Sequence, residues 1–387
     1  MKRWISSLII SAIWVSFISS CITPQSTGNI NNLAGSILPT KPANKSPSSN
    51  EEDITPSSFS GLLTIYSSEP VFHHGQDRTW EQAIVDPGAM LYHDGTFHLF
   101  YNGSQHYTPP RGGTYDVANH VSSVGYAVSA DGYRWYRMSE TPIFSINNIN
   151  QPIYNARVSC AIVMDDGTWV MYFYTQNNDS FQPAGSIYRA TAQSPIGPWH
   201  FDSTPVLSPG TNGTWDSYAV RYPDVIGTDD GYIMYYTGIY DGPSLGPNSS
   251  SIGMATSIDG ISWTKKDDPS TSAGLFVESD PVFRAGTAAW AQSTFRNHRI
   301  WQTPEGWFMI YAASSGYLQP RSYGVATSQD GITWHHFEDN PIFTPNSLHN
   351  ATALGASDIL YHNGKYYFYF NASKDEFTGD IYLAISE

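Results

Sequence analysis

Asp86 is the first residue of the chain whose type and setting suggest chemistry. It stands directly before Pro87, at the head of a short apolar run, and nine residues ahead of Gly95 in an "HDG" turn. A carboxylate in such a place can activate a water molecule or attack a carbon atom. The structural alternative is that Asp86 only caps the turn before the proline. We predict the chemical role.

Two further candidates for chemistry lie later in the chain. Asp224 follows Tyr222 by two residues in "VRYPDV", and alternate strand positions share a face, so Asp224 can reach the same site. We predict that it tunes the pKa of an acid and holds a substrate hydroxyl; the alternative is a polar residue at a strand end. His298 can donate a proton because the pKa of histidine is near neutrality. The alternative is that His298 only hydrogen-bonds a ligand or shapes the site.

Three arginines, Arg157, Arg221 and Arg299, stand near equivalent places in successive segments. A guanidinium group matches the geometry of carboxylate, sulfate and phosphate, so these side chains would suit an acidic sugar or a phosphate. The alternative, favoured for any single one, is that they offset nearby carboxylates or face outward. The predicted substrate-binding residues are Arg157, Arg221, Tyr222, Asn297, Arg299 and Asp358.

The elements that must position these residues form a repeat. The pattern "P-[VI]-[FL]" occurs at Pro70, Pro142, Pro205, Pro281 and Pro341. A glycine turn followed by an aromatic strand also occurs five times, as "DGTFHLFY", "DGTWVMYF", "DGYIMYY", "EGWFMIY" and "NGKYYFYF". Asp-Gly and Asn-Gly pairs reach the positive φ of tight hairpins. Five units of four antiparallel strands predict an all-β, five-bladed β-propeller.

The two ends of the repeat predict how the ring closes. The last copy ends at "GDIYLAISE" and lacks its outer strand, whereas "LLTIYSSEPVF", residues 62 to 72, is an orphan outer strand. We predict that this N-terminal strand completes the fifth blade. In such a ring the innermost strands line a central channel, and counting back from the glycine turns places their starts at Asp86, 158–160, 222–224, 297–299 and 357–358.

The motifs "DPGAMLYHDGTFHLFYNG", "RYPDV", "ATAQSPIGPW" and "YGVATSQDGITW" resemble the five-bladed β-propeller glycoside hydrolases, which include families 32, 43, 62, 68, 117 and 130. The resemblance covers roughly residues 62 to 387. It implies that Asp86 is the general base of an inverting reaction, as in family 43, or the nucleophile of a retaining one, as in family 32. Such hydrolysis also needs an acid to protonate the leaving oxygen.

The chain departs from the family 43 pattern where that acid is expected. No Glu stands near the start of the fourth inner strand, where Asn297 and His298 are found. The resemblance to family 117 implies His298 as the acid, and Glu81 or Glu278 are substitutes. Ala356 replaces a histidine that often helps to hold a central ion in family 43, so we predict no metal and no cofactor.

A second propeller motif is structural in every group that carries it. "SxDGxxW" begins at Ser129, Ser257 and Ser328 and is close to the Asp-box of six-bladed sialidases. That box usually has a residue between its Asp and its Gly, whereas here the two adjoin. We therefore predict that Asp131, Asp259 and Asp330 form turns and take no part in catalysis.

The N-terminus carries a targeting signal. Lys2 and Arg3 precede a short apolar run that ends in "ISSC", which is typical of a secretory signal and too short to span a bilayer comfortably. Its resemblance to a bacterial lipoprotein site implies lipidation of Cys21; the alternative is an ordinary signal peptide. We predict a signal peptide at 1–20, a Ser/Thr/Pro/Asn-rich flexible tether at 21–60, and a propeller at 61–387.

Composition excludes some partners. The formal net charge of −15 disfavours nucleic acid. The 12 Trp and 26 Tyr suit surfaces on which sugar rings stack. Cys160 would have no disulfide partner if Cys21 is lipidated. We expect an extracytoplasmic, lipid-anchored monomer that binds carbohydrate and touches the membrane only through its lipid.

Three functions remain open from the sequence. The leading hypothesis is a glycoside hydrolase that acts on an oligosaccharide or polysaccharide through Asp86, Asp224 and His298. The second is a carbohydrate-binding propeller that has lost catalysis, which the absent Glu supports. The third, phosphorolysis of a glycoside, depends on the arginines.

Overall fold

The computed structural model describes residues 63–105, 121–145, 155–176, 184–242, 246–284, 288–303, 306–315, 321–375 and 378–386, with the side chains of 246–248 excepted. The predicted signal peptide, tether and Cys21 lie outside these residues. The described part of the chain contains no helix with the length and apolarity that a bilayer crossing requires. Its regular structure is β-strand, with short 3-10 turns at Gly274–Phe276 and Pro345–Ser347.

The strands form five antiparallel sheets, each of which is one blade of a propeller. Blade 1 contains β2 (Ile84–His93), β3 (Thr96–Ser104), β4 (Ser122–Ser129) and β5 (Tyr136–Arg137). Blade 2 contains β6 (Asn155–Val163), β7 (Trp169–Gln176), β8 (Ile187–Ala192) and β9 (His200–Phe201). Blade 3 contains β10 (Ala219–Thr228), β11 (Gly231–Gly242), β12 (Gly246–Ser257) and β13 (Thr264–Lys265), and β14 (Pro281–Phe283) also pairs with β12.

Blades 4 and 5 complete the ring. Blade 4 contains β15 (Thr294–Thr303), β16 (Gly306–Ser314), β17 (Ser322–Ser328) and β18 (Trp334–His336). Blade 5 contains β19 (Ala353–His362), β20 (Lys365–Ser373), β21 (Asp380–Ser386) and, as its outermost strand, β1 (Leu63–Ile65). The inner strands β2, β6, β10, β15 and β19 each lie against the next, and β19 lies against β2. The prediction of a five-bladed propeller is confirmed.

The closure of the ring by the N-terminal segment is also confirmed. Leu63 pairs with Ser386 and Ile65 with Ala384, and Phe72 forms a further bridge to Ile381. The fifth blade is therefore built from both ends of the propeller. This pairing covers the outer edge of β21, which would otherwise present unpaired backbone groups.

Apolar side chains fill the space between neighbouring blades. Phe100 of blade 1 packs in one cluster with Met171 and Phe173 of blade 2, and all three side chains are fully buried. Burying each such side chain contributes roughly 1.5–3 kcal/mol relative to leaving it exposed. These layers hold the blades around the axis and leave the inner strands to line it.

The "SxDGxxW" turns lie at the outer corners of the blades, as the sequence predicts. In each of the three, the Asp carboxylate accepts backbone N–H groups of the two residues that follow the glycine; for Asp330 these are Ile332 at 2.8 Å and Thr333 at 2.7 Å. The serine that begins each motif accepts the N–H of the glycine. These carboxylates are used locally to fold the turn.

Candidate active site

A funnel at the axis of the propeller draws residues from all five inner strands. Its lining includes Pro87, Gly88, Arg157, Val158, Ser159, Tyr222, Asn297, His298, Arg299, Ala356, Ser357 and Asp358, together with Asn102 and Tyr174 from second strands. The inner strands begin two to four residues before the starts that the glycine-turn spacing predicts. Four of the five predicted segments nevertheless contribute to this lining, and Asp86 stands directly before its first residue, Pro87.

Each inner strand is irregular where it reaches the funnel. The ladder between first and second strands shifts register after Pro87, Val158, Arg221, Arg296 and Leu354, once in every blade. A bulge leaves a residue outside the ladder and redirects its side chain. Six residues of the lining lie outside the ladder at these shifts, namely Gly88, Ser159, Tyr222, Asn297, His298 and Ala356.

Asp86 stands directly before the lining residue Pro87, and only part of its carboxylate is engaged. The side chain is buried, with 4% of the residue exposed, and Oδ2 accepts a hydrogen bond from the Arg157 guanidinium of blade 2. Oδ1 has no hydrogen-bond partner among the described residues. Because a buried polar atom without a partner costs free energy, this oxygen is the one to which a water molecule or a substrate hydroxyl would bind.

Arg157 holds its position through contacts on two sides. One terminal nitrogen donates to Asp86, and the other donates to Ser122 Oγ at 3.3 Å. Burial lowers the pKa of Arg157, but Asp86 and Tyr174 together raise it well above its ordinary value. The guanidinium is therefore a fixed positive charge beside the Asp86 carboxylate.

Asp224 and Asp358 belong to a second charged group, which we call closed because each of its carboxylate oxygens accepts a hydrogen bond. Arg299 donates from Nη1 to Asp224 Oδ1 at 2.5 Å and from Nε to Asp358 Oδ1 at 2.7 Å. Backbone N–H groups of Ile300 and Met90 donate to the remaining carboxylate oxygens at 2.6 and 2.7 Å. Each of these four carboxylate oxygens has a donor, so neither carboxylate offers a free oxygen to a substrate.

This second group links blades 3, 4, 5 and 1 across the axis. Only 2% of Asp224 and of Asp358 is exposed. Burial raises the pKa of Asp358 to about 6, although Arg299 opposes this shift. The network therefore joins inner strands whose sequences are far apart.

His298 lines the funnel as a neutral group. Its Nδ1 lies 3.4 Å from Thr237 Oγ1, and Nε2 has no hydrogen-bond partner in the described ranges. Burial lowers the pKa of His298 to about 4, although Asp224 raises it. At neutral pH the side chain is an imidazole, which is a much weaker proton donor than an imidazolium.

Asn297 and Tyr222 stand at corresponding places in blades 4 and 3, and both have backbone φ angles in the left-handed region, 48° and 53°. Asn297 donates from Nδ2 to the Gly355 carbonyl at 3.3 Å. The Tyr222 ring packs on Tyr174, with ring centroids 4.7 Å apart. Such backbone conformations are uncommon for residues other than glycine and cluster at functional sites.

Arg221 is on the inner strand of blade 3 but does not belong to the funnel lining. It donates from Nη2 to the Ala184 carbonyl at 3.2 Å, and its buried Nε has no hydrogen-bond partner within the described residues. Of the three predicted arginines, Arg299 therefore binds two carboxylates and Arg157 binds the carboxylate of Asp86. Arg221 retains an N–H donor that has no partner among the described residues.

The substitute acids predicted from the sequence lie elsewhere. Glu81 pairs with Arg137 of the outer strand β5 at 2.6 Å. Glu278 accepts hydrogen bonds from the backbone and side chain of Thr211 at 2.9 and 2.5 Å. Neither residue belongs to the funnel lining.

Several funnel residues were not predicted from the sequence. Asn102 exchanges two hydrogen bonds with the Val158 backbone and so fixes blade 1 to blade 2. Tyr174 packs on Tyr222. Burial raises the pKa of Tyr222, but the charges of Arg296 and Arg321, which lie outside the lining, lower it. Their only signal was position: Asn102 and Tyr174 stand late in the second strand of a blade, opposite the start of the first.

No group of three His, Cys, Asp or Glu side chains in the described ranges is placed to hold a metal ion. The expectation that the reaction uses no metal or cofactor stays a prediction.

The chain is similar in part of its sequence to glycoside phosphorylases, and it shares its fold with solved glycoside hydrolases and phosphorylases. No family model matches it. A 1,2-β-oligomannan phosphorylase of Thermoanaerobacter sp. (strain X514) is 30% identical over 172 residues, which are 42% of this chain and 55% of that protein. A β-1,2-mannobiose phosphorylase of the same strain is 28% identical over 111 residues, 28% of this chain and 36% of that protein. The chain thus spans about half or less of the curated relatives that it matches.

Solved structures share the fold over most of the chain. A glycosyl hydrolase from Bacteroides ovatus has a TM-score of 0.63 at 17% identity and covers 86% of this chain and 96% of its own. A member of family 130, described as mannoside phosphorylases that include glycoside hydrolases targeting β-1,2 mannosidic linkages in Candida mannan, has a TM-score of 0.62 at 16% identity, with the same coverage. The β-1,2-mannobiose phosphorylase from Listeria innocua has a TM-score of 0.59 at 10% identity, covering 84% and 96%.

These comparisons agree with the geometry at a coarse level. The chain has the five-bladed propeller of glycoside hydrolases and glycoside phosphorylases, and its sequence relatives are carbohydrate-active enzymes.

Proposed function

We propose that this protein is a glycoside hydrolase in which Asp86, directly beside the lining of the central funnel, activates the attacking water. The observation that carries the proposal is the half-engaged carboxylate of Asp86: one oxygen is held by Arg157, and the other faces no partner among the described residues. A general base needs this arrangement, because the bound oxygen fixes the group and the free oxygen takes the proton.

In this proposal the closed network is structural. Asp224 and Asp358 hold Arg299 and have no free oxygen with which to contact a sugar. Their predicted contributions to catalysis and substrate binding become indirect, through the position of β15 and its neighbours. His298 contacts a sugar hydroxyl through its free Nε2, which is consistent with its lowered pKa.

A β-1,2-linked mannoside is the first substrate class to test. Both curated relatives are named for β-1,2-mannan or β-1,2-mannobiose, and a structural neighbour is described as targeting the same linkage. The aromatic and amide groups of the funnel, Tyr174, Tyr222, Asn102 and Asn297, are suited to stacking on a sugar ring and to bonding its hydroxyls.

Phosphorolysis is the second candidate function, favoured by the arginines beside Tyr222. Arg221 Nε has no hydrogen-bond partner in the described part of the chain, and the positive charges of Arg296 and Arg321 lower the pKa of Tyr222. A phosphate ion held there would replace water as the nucleophile, since guanidinium groups bind phosphate well. Asp86 would then have no water to activate.

Product analysis separates the two functions. The full chain is incubated with β-1,2-mannobiose, longer β-1,2-mannan oligosaccharides and a panel of other disaccharides, with and without inorganic phosphate. We expect free sugars to form at the same rate in both conditions. Formation of a sugar 1-phosphate only when phosphate is present would establish phosphorolysis instead. Binding of a glycan without turnover in either condition would support the non-catalytic alternative.

We also infer that the enzyme is tethered outside the cytoplasm by a lipid on Cys21. The support is the order of basic residues, apolar run and "ISSC" at the N-terminus. Metabolic labelling with a radioactive fatty acid should mark the wild-type chain and leave the Cys21→Ser variant unlabelled. Labelling of neither protein would contradict the inference.

A further inference from the structure

The amide of Asn102 joins blade 1 to blade 2 directly beside Arg157. Nδ2 donates to the Val158 carbonyl at 3.0 Å, and Oδ1 accepts the Val158 N–H at 2.9 Å. Only 3% of Asn102 is exposed. Val158 follows Arg157 in the chain, so these two hydrogen bonds fix the backbone from which the Arg157 side chain starts.

A second asparagine acts in the same way on the strand that carries Asp86. Asn371 of β20 donates from Nδ2 to the Val85 carbonyl at 2.8 Å, and Val85 directly precedes Asp86. Asn102 pairs with Asp86 in the ladder, and Asn371 stands opposite the register shift of blade 5. The second strands of blades 2, 3 and 4 carry Tyr174, Thr237 and Ala312 at the matching level. An asparagine therefore stands at this level in the two blades whose next neighbour supplies Asp86 or Arg157.

The side chain of Arg157 is held from the opposite direction. Asn155 Oδ1 accepts the Ser122 N–H at 2.9 Å, and Ser122 Oγ accepts a hydrogen bond from Arg157 Nη1 at 3.3 Å. Here a residue of blade 2 binds a strand of blade 1, which is the reverse of the bridge made by Asn102. Both bridges use residues of β6 that flank Arg157, whose other terminal nitrogen donates to Asp86 Oδ2.

The inner strands of blades 1 and 2 are in direct contact at this level. A Cβ atom on Gly88 would overlap Val158 Cγ1 and would lie 2.9 Å from Asn102 Nδ2. Glycine permits such a close approach because it has no side chain. Since the two strands touch, the hydrogen bonds of Asn102 set their separation and with it the reach of Arg157 to Asp86.

We propose that Asn102 is a positioning residue for hydrolysis: it holds Arg157 so that the guanidinium binds Oδ2 of Asp86 and leaves Oδ1 for the attacking water. This role rests on the hydrolytic function proposed above, in which Asp86 accepts a proton from that water. Catalytic groups need to stay within about 0.5 Å of the productive geometry, and a displacement of about 1 Å can cost on the order of 10²-fold in rate. Asn102 lines the funnel, but its amide oxygen and nitrogen both bond Val158, so we assign its effect to Arg157.

Steady-state kinetics on β-1,2-mannobiose, or on the disaccharide of the panel that is turned over, test this role. Asn102→Ala should lower kcat roughly 10–100-fold and change KM less than about 3-fold, because it disturbs the catalytic geometry and removes no sugar contact. The matched control is Asn340→Ala, which removes the same pair of hydrogen bonds, here to the Val325 backbone at 2.8 Å each. Asn340 lies outside the funnel lining, so the control should lose stability in urea and keep its kcat.

A double variant shows whether the effect passes through Arg157. In the Arg157→Met background, Asn102→Ala should lower kcat less than about 3-fold, because the group that Asn102 positions is absent. Thermal unfolding checks that each variant is folded. Asn102→Ser is the milder substitution and should lower kcat in the same direction if Asn102→Ala does not fold.

The possible failures of this inference and of the proposed function differ. An unchanged kcat in a folded Asn102 variant would overturn the positioning role while hydrolysis stands. The same holds for a loss of kcat that recurs in full in the Arg157→Met background, and for a rise in KM alone, which would indicate a sugar contact. A wild type without turnover on any glycoside would overturn the proposed function itself.

Discussion

The axis of the propeller carries two arginine–carboxylate groups in its described part, and they use the same residue types in opposite ways. In the group of Arg299, every oxygen of Asp224 and Asp358 accepts a hydrogen bond from a guanidinium or backbone donor. In the group of Arg157, Asp86 has one oxygen for which the described residues supply no donor. The first group closes the ring, and the second leaves a reactive atom at the funnel.

This difference shows that a buried carboxylate at the propeller axis does not by itself indicate a catalytic residue. Both kinds of carboxylate are buried and both face an arginine. What separates them is whether the surrounding backbone has supplied donors for all the oxygens, because a satisfied carboxylate contributes to the fold and an unsatisfied one can bind a new partner.

Removal of Arg299 should have the largest effect on stability. Arg299→Met would leave Asp224 and Asp358 buried without a cation, and breaking a buried ion pair from one side costs about 3–5 kcal/mol. We expect urea unfolding to show a loss of this size. Arg157→Met is the matched control and should lose less, because Arg157 pairs with one buried carboxylate whereas Arg299 pairs with two. An equal loss in both variants would contradict the distinction between the two groups.

The pH dependence of stability should report the buried neutral His298. As pH falls from 6.5 towards 4, the unfolded chain takes up a proton on this histidine and the folded chain does not, so the free energy of unfolding decreases. His298→Gln removes this contribution, and the wild type should lose up to about 1.4 kcal/mol per pH unit relative to the variant.

Asp358 acts in the opposite sense over part of the same range. Burial raises its pKa to about 6, so the folded chain takes up this proton first and gains stability as pH falls. Both proteins contain Asp358, so the difference between them isolates His298. Parallel curves of unfolding free energy against pH for the two proteins would contradict the lowered pKa of His298, because they require equal proton uptake by this residue in the folded and unfolded chains.

The smallest effect is expected at a blade corner. Asp330→Ala removes the hydrogen bonds from Ile332 and Thr333 to the turn carboxylate, and the loss of such a local cap costs about 1 kcal/mol. Turnover should be unchanged, since the corner is remote from the funnel lining. Chemical denaturation measures the loss of stability, and a kinetic assay measures turnover. A loss of turnover without a loss of stability would contradict the assignment of Asp330 to a purely structural turn.

The sequence predicts the fold well because the structure of each blade depends on residues that are close together in the sequence. Each glycine turn, each "SxDGxxW" corner and each "PxF" segment depends on residues within one hairpin. Closure by the N-terminal strand follows from counting which blade lacks its last piece. The nine-residue spacing likewise predicts where the inner strands reach the funnel.

The site could be predicted only in part, because its partners come from different blades. Asp86 and Arg157 are 71 residues apart, and Arg299 and Asp358 are 59 apart. A sequence pattern places a side chain at a strand start but does not say which donors surround it. For this reason the open carboxylate of Asp86 and the closed one of Asp224 look alike in the sequence. The positive φ of Tyr222 and the lowered pKa of His298 depend on bulges and burial that no local motif encodes.

The most direct test of the account compares Asp86→Asn with Asp224→Asn on one glycoside substrate, with kcat and the free energy of unfolding measured for each. We predict that Asp86→Asn loses about 10²–10⁴-fold in kcat and loses less stability than Asp224→Asn, because only one of its carboxylate oxygens has a donor among the described residues. Asp224→Asn should lose roughly 2–4 kcal/mol of stability and, while folded, retain turnover within about 10-fold. Turnover that survives Asp86→Asn, or that disappears in a stable Asp224→Asn, would contradict the account.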